Sequence, residues 1–149
     1  MNKLKNILLA EDDLDDYLFF VEAFERISAD YKISRAANGL ECLNYLKTKE
    51  CPDIIFLDLN MPIRNGLDCL KFIRQKEELS DVPVIIYSTS HYIKDIDTAY
   101  KNGANCYIVK PSSGTELSEI LHIALLQLSE NWQQPAKDYF VLRKRETSR

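Results

Sequence analysis

The chain has 149 residues, of which 46% are apolar and 28% are charged, and it carries a formal net charge of −4. This length and composition predict one globular domain whose core is large enough to need no metal or disulfide staple. The negative charge argues against nucleic acid or an anionic membrane as the main partner.

Cysteine usage and the N-terminal segment both bear on the cellular compartment. The cysteines lie in or beside apolar segments without metal-ligand spacing, so we interpret them as small buried hydrophobic residues, a use that suits a reducing compartment. The apolar run before Glu11 has four residues, too short for a signal peptide core or a membrane span. The sequence therefore predicts a cytoplasmic protein that does not enter a membrane. The four cysteines are Cys42, Cys51, Cys69 and Cys106.

Short apolar runs alternate with helix-length amphipathic segments along the first part of the chain. The run at 7–10 predicts a strand buried on both faces, and the apolar spacing over 14–24 predicts an amphipathic helix. Residues 31–37 predict a second strand, residues 40–46 a short helix, and residues 53–57 a third strand.

The same alternation continues to residue 128. Gly103 stands where a helix needs a left-handed stop before the next strand. The remaining predicted elements are a helix over 67–78, a strand over 82–88, a helix over 93–100, a strand over 106–109 and a helix over 117–128.

This order predicts an α/β fold class. Five strands and five helices in alternation predict a (βα)5 doubly wound, flavodoxin-like, parallel five-stranded sheet of order 2-1-3-4-5 over residues 1–130. Residues 131–149 form a C-terminal tail with a net charge of +3, against −7 for the preceding residues. Trp132 and the run at 139–142 are too apolar for a purely disordered segment. We therefore expect the tail to pack on the body or on a partner chain.

Polar residues follow the strands at the edge where such sheets bind ligands. Glu11 and Asp12 follow the first strand, Asp58 follows the third, Ser88 ends the fourth and Lys110 follows the fifth. The carboxyl ends of parallel strands lie at one edge, so these side chains should converge.

The chemistry of this set predicts a cation and a phosphoryl group. Two like charges about 4 Å apart repel by roughly 4 kcal/mol at an effective dielectric constant of 20, so clustered carboxylates need a cation. A few oxygen ligands with room for water favour Mg²⁺ over Zn²⁺ or a closed Ca²⁺ cage, and the Asn60 carbonyl can turn back toward the metal. Lys110 and Ser88 suit phosphate oxygens, which makes Asp58 the candidate phosphoryl acceptor. Further acidic residues of the first helix are interpreted as cap and solvated first-turn charges: Asp13, Asp15 and Asp16.

Over about residues 4–130 these motifs resemble the receiver domains of two-component response regulators, in particular stand-alone receivers of the chemotaxis-regulator kind. The intervals also fit, with Ser88 30 residues after Asp58 and Lys110 22 residues after Ser88. The segments that carry the resemblance are Glu11-Asp12, Leu57-Asp58-Leu59-Asn60-Met61-Pro62, Gly66, Ser88 and Lys110-Pro111.

The resemblance implies a phosphoacceptor and a metal site. Asp58 would accept the phosphoryl group from a phosphohistidine of a sensor histidine kinase or phosphotransfer protein. Mg²⁺ would be held by Asp12, Asp58 and the Asn60 carbonyl, with Glu11 acting mainly through water. The chain would thus be a phosphoacceptor signalling protein that catalyses its own phosphorylation and dephosphorylation, and not an enzyme acting on other substrates.

The resemblance also implies how the signal leaves the site. Ser88 and Lys110 would bind phosphoryl oxygens, and Tyr107 is the implied aromatic switch. The 19-residue tail is too short for an output domain, so output would pass through a downstream protein target. A homodimer through the fourth helix, fifth strand, last helix or tail is a further prediction. The tryptophan-containing tail is similar to that of short regulators that serve phytochrome-type kinases.

Three other functions remain as alternatives. An aspartate-nucleophile phosphatase of the haloacid dehalogenase type needs a second acid two residues after the nucleophile, where this chain has Asn60. A flavodoxin-like binding module would hold a flavin phosphate near residues 11–13, whose charges repel it. DNA binding through residues 143–145 would have too few phosphate contacts for much affinity.

Overall fold

The computed structural model describes residues 6–48, 50–130 and 133–143. The strands are β1 (Asn6–Ala10), β2 (Lys32–Ala36), β3 (Ile54–Leu57), β4 (Val84–Ser88), β5 (Cys106–Val109) and β6 (Val141–Leu142). The helices are α1 (Leu14–Glu25), α2 (Gly39–Thr48), α3 (Gly66–Gln75), α4 (Ile93–Lys101) and α5 (Gly114–Glu130). None of these helices is both long and apolar enough to cross a membrane.

All strands pair in parallel, in the order β2-β1-β3-β4-β5-β6. The first five strands confirm the predicted order 2-1-3-4-5. The sixth strand was not predicted, because Val141–Leu142 is too short to show a hydrophobic period. The topology brings the carboxyl ends of β1, β3, β4 and β5 to one edge of the sheet.

The strands β1, β3, β4 and β5 are buried on both faces, as their continuous apolar runs predicted, whereas the edge strand β2 is only partly buried. Alternate residues of each strand face opposite layers: Leu9 packs with α1 and α5, whereas Leu8 packs with α2, α3 and α4. An aromatic cluster fills the first layer, where the Phe20 ring centroid lies 4.9 Å from that of Phe56 and 5.3 Å from that of Tyr87. The Tyr87 ring of this cluster lies next to the polar edge, 4.9 Å from Nζ of Lys110.

The cysteines differ in part from the prediction. All four are free thiols, and three of them are buried. Cys51 is exposed, because it lies in the loop that enters β3 and not in a strand or helix. The interpretation of Cys51 as a buried hydrophobic residue was therefore wrong.

Two glycines hold the chain where other residues would not fit. Gly103 ends α4 with a φ of +92°, as the sequence predicted. At Gly66 a β-carbon would lie 2.2 Å from the carbonyl oxygen of Asp58, so only glycine lets α3 begin this close to the end of β3. The predicted third helix ends early, at Gln75, and a short 3₁₀ helix follows at Glu77–Leu79.

Residues 133–143 lie against β5 and α4. The Phe140 side chain is fully buried, with its ring 4.9 Å from the ring of Tyr100, and the Tyr107 N–H donates to the Phe140 carbonyl at 3.0 Å. The Tyr100 hydroxyl donates to the Pro135 carbonyl at 2.9 Å, and Lys137 forms an ion pair with Asp97. Trp132 and the basic residues at 144–145 lie outside the described residues.

Candidate functional site

The predicted site residues that follow the strands lie together at the carboxyl edge of the sheet. Backbone hydrogen bonds extend the strand pairing by one residue and so fix where each side chain starts. Each N–H donates to a backbone carbonyl of the neighbouring strand: Glu11 to Ala36 at 2.9 Å, Asp58 to Ala10 at 3.1 Å and Lys110 to Ser88 at 2.8 Å.

Three carboxylates form one cluster. Glu11, Asp12 and Asp58 each offer an oxygen, and these oxygens all lie within 4.8 Å of one another. Glu11 and Asp58 are buried, whereas Asp12 is exposed. Asn60 is exposed, and its N–H donates to Asp58 Oδ1 at 3.1 Å, which places its backbone beside the cluster. This arrangement of oxygen donors, open on one side, suits Mg²⁺ with bound water.

Lys110 closes the other side of the site. Its Nζ lies 2.6 Å from Glu11 Oε1, 3.0 Å from Asp16 Oδ2 and 3.2 Å from Asp58 Oδ2. The same Nζ lies 4.9 Å from the ring centroid of Tyr87, and the lysine side chain is 8% exposed. Asp16 was interpreted as a solvated charge, and this was incomplete: its side chain is 44% exposed but binds Lys110.

Burial and charge act against each other in this cluster. Burial raises the pKa of Glu11 to about 7, with the charge of Asp58 acting in the same direction and the hydrogen bond from Lys110 opposing it. Burial alone would lower the pKa of Lys110, but the hydrogen bond to Glu11 and the charges of Asp58 and Glu11 raise it above its ordinary value. Three carboxylates contact the ammonium group of Lys110, and Asp12 adds a fourth beside Glu11 and Asp58, so a bound cation would offset part of the remaining negative charge.

Ser88 and Tyr107 are linked through Ser90. The fully buried Ser88 hydroxyl accepts from the Ser90 N–H at 3.2 Å, and the Tyr107 hydroxyl donates to the Ser90 carbonyl at 2.8 Å. The Ser90 hydroxyl donates to Asp95 Oδ2 at 2.5 Å, which ties this loop to the first turn of α4. Tyr107 is fully buried, and burial raises the pKa of its hydroxyl while hydrogen bonds to Ser90 and Ser88 oppose the shift.

Some residues that shape the site were not predicted. Arg35 donates from Nε to the Glu11 carbonyl at 3.1 Å and from Nη2 to the Asp12 carbonyl at 2.9 Å, so it holds the loop that carries both carboxylates. The pairing of β2 with β1 brings it there. Ile63 has a φ of 70°, strained for a β-branched residue, in a tight turn closed by the Arg64 N–H on the Pro62 carbonyl at 2.8 Å.

Comparisons with known proteins agree with this geometry. The response regulator receiver domain model matches residues 7–122. The probable methanogenesis regulatory protein FilR2 of Methanothrix harundinacea is 31% identical over 131 residues, which cover 85% of this chain and 82% of FilR2. The response regulator Rcp1 of Synechocystis is 29% identical over 126 residues, which cover 80% of this chain and 86% of Rcp1.

Solved structures show the same similarity. The crystal structure of Mn²⁺-bound Rcp1 has a TM-score of 0.72 at 27% identity and covers 89% of this chain and 96% of the Rcp1 chain. The phosphorylated cyanobacterial phytochrome response regulator RcpA has a TM-score of 0.74 at 29% identity and covers 87% of this chain and 94% of the RcpA chain. The chain therefore belongs to the response regulator receiver family and is a phosphoaccepting response regulator of two-component signalling.

Proposed function

We propose that Asp58 is the residue that accepts the phosphoryl group, from a histidine kinase or a phosphotransfer protein. The observation that carries this proposal is the position of its carboxylate, buried between the acidic cluster and the ammonium group of Lys110. Oδ1 is held by the Asn60 N–H, and Oδ2 lies 3.2 Å from Lys110 Nζ. Asp12 belongs to the same cluster but is exposed. Glu11 is buried and lies 2.6 Å from Lys110 Nζ, but it follows β1, whereas Asp58 follows β3, which lies between β1 and the strand that ends at Ser88.

The metal of this proposal is Mg²⁺, held by Asp12, Asp58 and the Asn60 carbonyl, with Glu11 acting mainly through water. The excess of carboxylates over ammonium groups supports the fit, as does the Mn²⁺-bound structure of the related Rcp1. Mg²⁺ would supply charge neutralisation on the phosphoryl oxygens.

The protein groups position the reactants and balance their charge. A carboxylate oxygen of Asp58 attacks the phosphorus atom of the phosphohistidine, the phosphorus–nitrogen bond breaks, and the imidazole leaves. Lys110 Nζ and the Ser88 hydroxyl donate hydrogen bonds to phosphoryl oxygens, which stabilises the negative charge on those oxygens during transfer. Attack of water on the same phosphorus later returns Asp58 to its free carboxylate and releases inorganic phosphate.

Tyr107 is the proposed switch. Its hydroxyl and the Ser88 hydroxyl both hydrogen-bond to the backbone of Ser90. When Ser88 turns its hydroxyl toward a phosphoryl oxygen, the loop at Ser90 loses one of these bonds and the position of Tyr107 is free to change. The ring of Tyr107 packs near the ring of Phe140, with 6.3 Å between their centroids, and the Tyr107 N–H donates to the Phe140 carbonyl. A change in the position of Tyr107 would therefore alter its contacts with residues 133–143.

The proposed partners are a phytochrome-type sensor kinase upstream and a protein target downstream, in the cytoplasm. The similarity to the phytochrome response regulator RcpA supports the choice of kinase.

A partner or second copy would contact α4, β5, α5 or residues 133–143. Ile96 of α4 and Tyr107 of β5 are buried and so cannot contribute side chains to such a surface. Large apolar side chains that are exposed there are Tyr92, Ile93, Ile123, Leu126 and Tyr139.

Incubation with acetyl phosphate, followed by intact-mass spectrometry, tests the acceptor and the metal together. The wild type should gain the mass of one phosphoryl group with Mg²⁺ and none with excess EDTA. Asp58→Asn should gain none in either condition, while Asp53→Asn, which changes an acid at the other end of β3, should behave as the wild type. A Mg²⁺-dependent phosphoryl group on Asp58→Asn would overturn the proposal.

A further inference from the structure

We propose that Asp16 is a positioning residue for Lys110 and thereby shortens the lifetime of the phosphoryl group on Asp58. This inference rests on the proposed function of Asp58 as acceptor. It gives a role in the reaction to a residue of α1 that the sequence pattern marked only as a helix-terminal charge.

Carboxylates occupy the hydrogen-bond capacity of Lys110. An ammonium group has three N–H donors, and Nζ has three carboxylate partners within 3.2 Å: Glu11, Asp16 and Asp58. Its side chain is 8% exposed, so water has little access. A phosphoryl group on Asp58 therefore has to compete with carboxylates for Lys110, and Asp16 is the one that the metal cluster does not include.

The first turn of α1 fixes the position of the Asp16 backbone. Asp13 caps α1, and its Oδ1 accepts from the Asp16 N–H at 3.1 Å. The backbone at Asp16 is thus part of the fixed first turn of the helix. Its carboxylate reaches from there over the end of β5, whereas Asp15, one residue earlier in the same turn, is exposed.

Asp16 and a phosphoryl group on Asp58 would both bring negative charge close to Lys110. Asp16 Oδ2 and Asp58 Oδ2 contact the same Nζ, at 3.0 and 3.2 Å, so a phosphoryl group added to Asp58 brings further negative charge close to Asp16. Repulsion between them and the loss of one Lys110 N–H to Asp16 both weaken the hold of the protein on the phosphoryl group. Asp16 is partly exposed, so solvent screens the effect, and we expect a change of roughly two- to fivefold.

The experiment compares Asp16→Asn with the matched control Asp15→Asn, which removes the same formal charge one residue away. Two quantities are measured in the full chain with Mg²⁺: the rate of phosphoryl loss after removal of acetyl phosphate, and the dissociation constant of beryllofluoride. In Asp16→Asn, the rate constant of phosphoryl loss should be roughly two- to fivefold smaller than in the wild type. The dissociation constant of beryllofluoride should be smaller by roughly the same factor. Asp15→Asn should match the wild type, and Asp16→Glu, which keeps the carboxylate, should return both constants toward it.

The outcomes separate this inference from the function on which it rests. If the wild type takes up no phosphoryl group on Asp58, the proposed function fails and this inference fails with it. If the wild type is phosphorylated there but Asp16→Asn equals Asp15→Asn, or loses its phosphoryl group faster, only the role of Asp16 is overturned. Asp16→Glu behaving as Asp16→Asn would also overturn it, because the carboxylate would then not be the cause. A thermal unfolding curve for each variant shows that the compared proteins are folded.

Discussion

At the scale of single residues, Lys110 balances the charge of the site. Its ammonium group contacts two buried carboxylates, Glu11 and Asp58, and among the described residues no other cationic side chain forms an ion pair with either. A buried charge that loses its partner costs far more than a surface ion pair contributes. The same lysine is therefore expected to matter for stability as well as for phosphoryl binding.

Replacing Lys110 by methionine tests this double role. In EDTA we expect Lys110→Met to lower the free energy of unfolding by about 3 to 5 kcal/mol, because Glu11 and Asp58 are left unpaired. Mg²⁺ should restore part of the loss, since it binds the same carboxylates. Urea denaturation with and without Mg²⁺ measures both effects. The control is Lys71→Met, at an exposed position of α3, and an equal loss in the two variants would contradict the account.

Much of the site could be predicted from residues that directly follow strands. Glu11, Asp58 and Lys110 were predicted to converge because the ends of parallel strands share an edge, whatever the details of packing. The contact of Asp16 with Lys110 was not predicted, because it depends on how α1 sits over the end of β5. Arg35 was missed for a similar reason, since its role follows from the register of β2 against β1.

At the scale of elements, β6 and the segment before it extend the predicted fold. Phe140 is fully buried in the layer formed with α3 and α4, and its carbonyl accepts from the Tyr107 N–H. The sequence showed that residues 139–142 are apolar, but two residues of strand carry no period from which pairing can be predicted. Long-range packing, and not local propensity, decides where this segment lies.

Truncating Phe140 tests the contribution of this segment. Phe140→Ala should lower the free energy of unfolding by about 3 to 5 kcal/mol, the usual cost of removing a buried phenylalanine side chain. Tyr139→Ala, whose side chain is 68% exposed, should change it by less than about 0.5 kcal/mol. Hydrogen exchange gives a local measurement, because the Tyr107 amide should exchange faster in Phe140→Ala. Unchanged protection of that amide would show that β6 stays in place without the Phe140 ring.

At the scale of the whole molecule, the sheet connects the site to the face that residues 133–143 cover. Asp58 and Lys110 lie at one edge of the sheet, and Tyr107 on β5 lies between the Ser88–Ser90 loop and Phe140. The overall α/β architecture was predictable because the alternation of five strands with five amphipathic helices is clear in the sequence. The path from the site to that face was not, because it consists of contacts between side chains that are far apart in the chain.

Asp58 is proposed to carry the phosphoryl group, and chemical identification of the modified residue can show whether it does. An aspartyl phosphate is an acyl phosphate, which borohydride reduces to homoserine. After phosphorylation in Mg²⁺, reduction and peptide mass spectrometry, the account predicts homoserine at position 58 and unchanged aspartate at position 12. Homoserine at another acidic residue, with Asp58 intact, would contradict it.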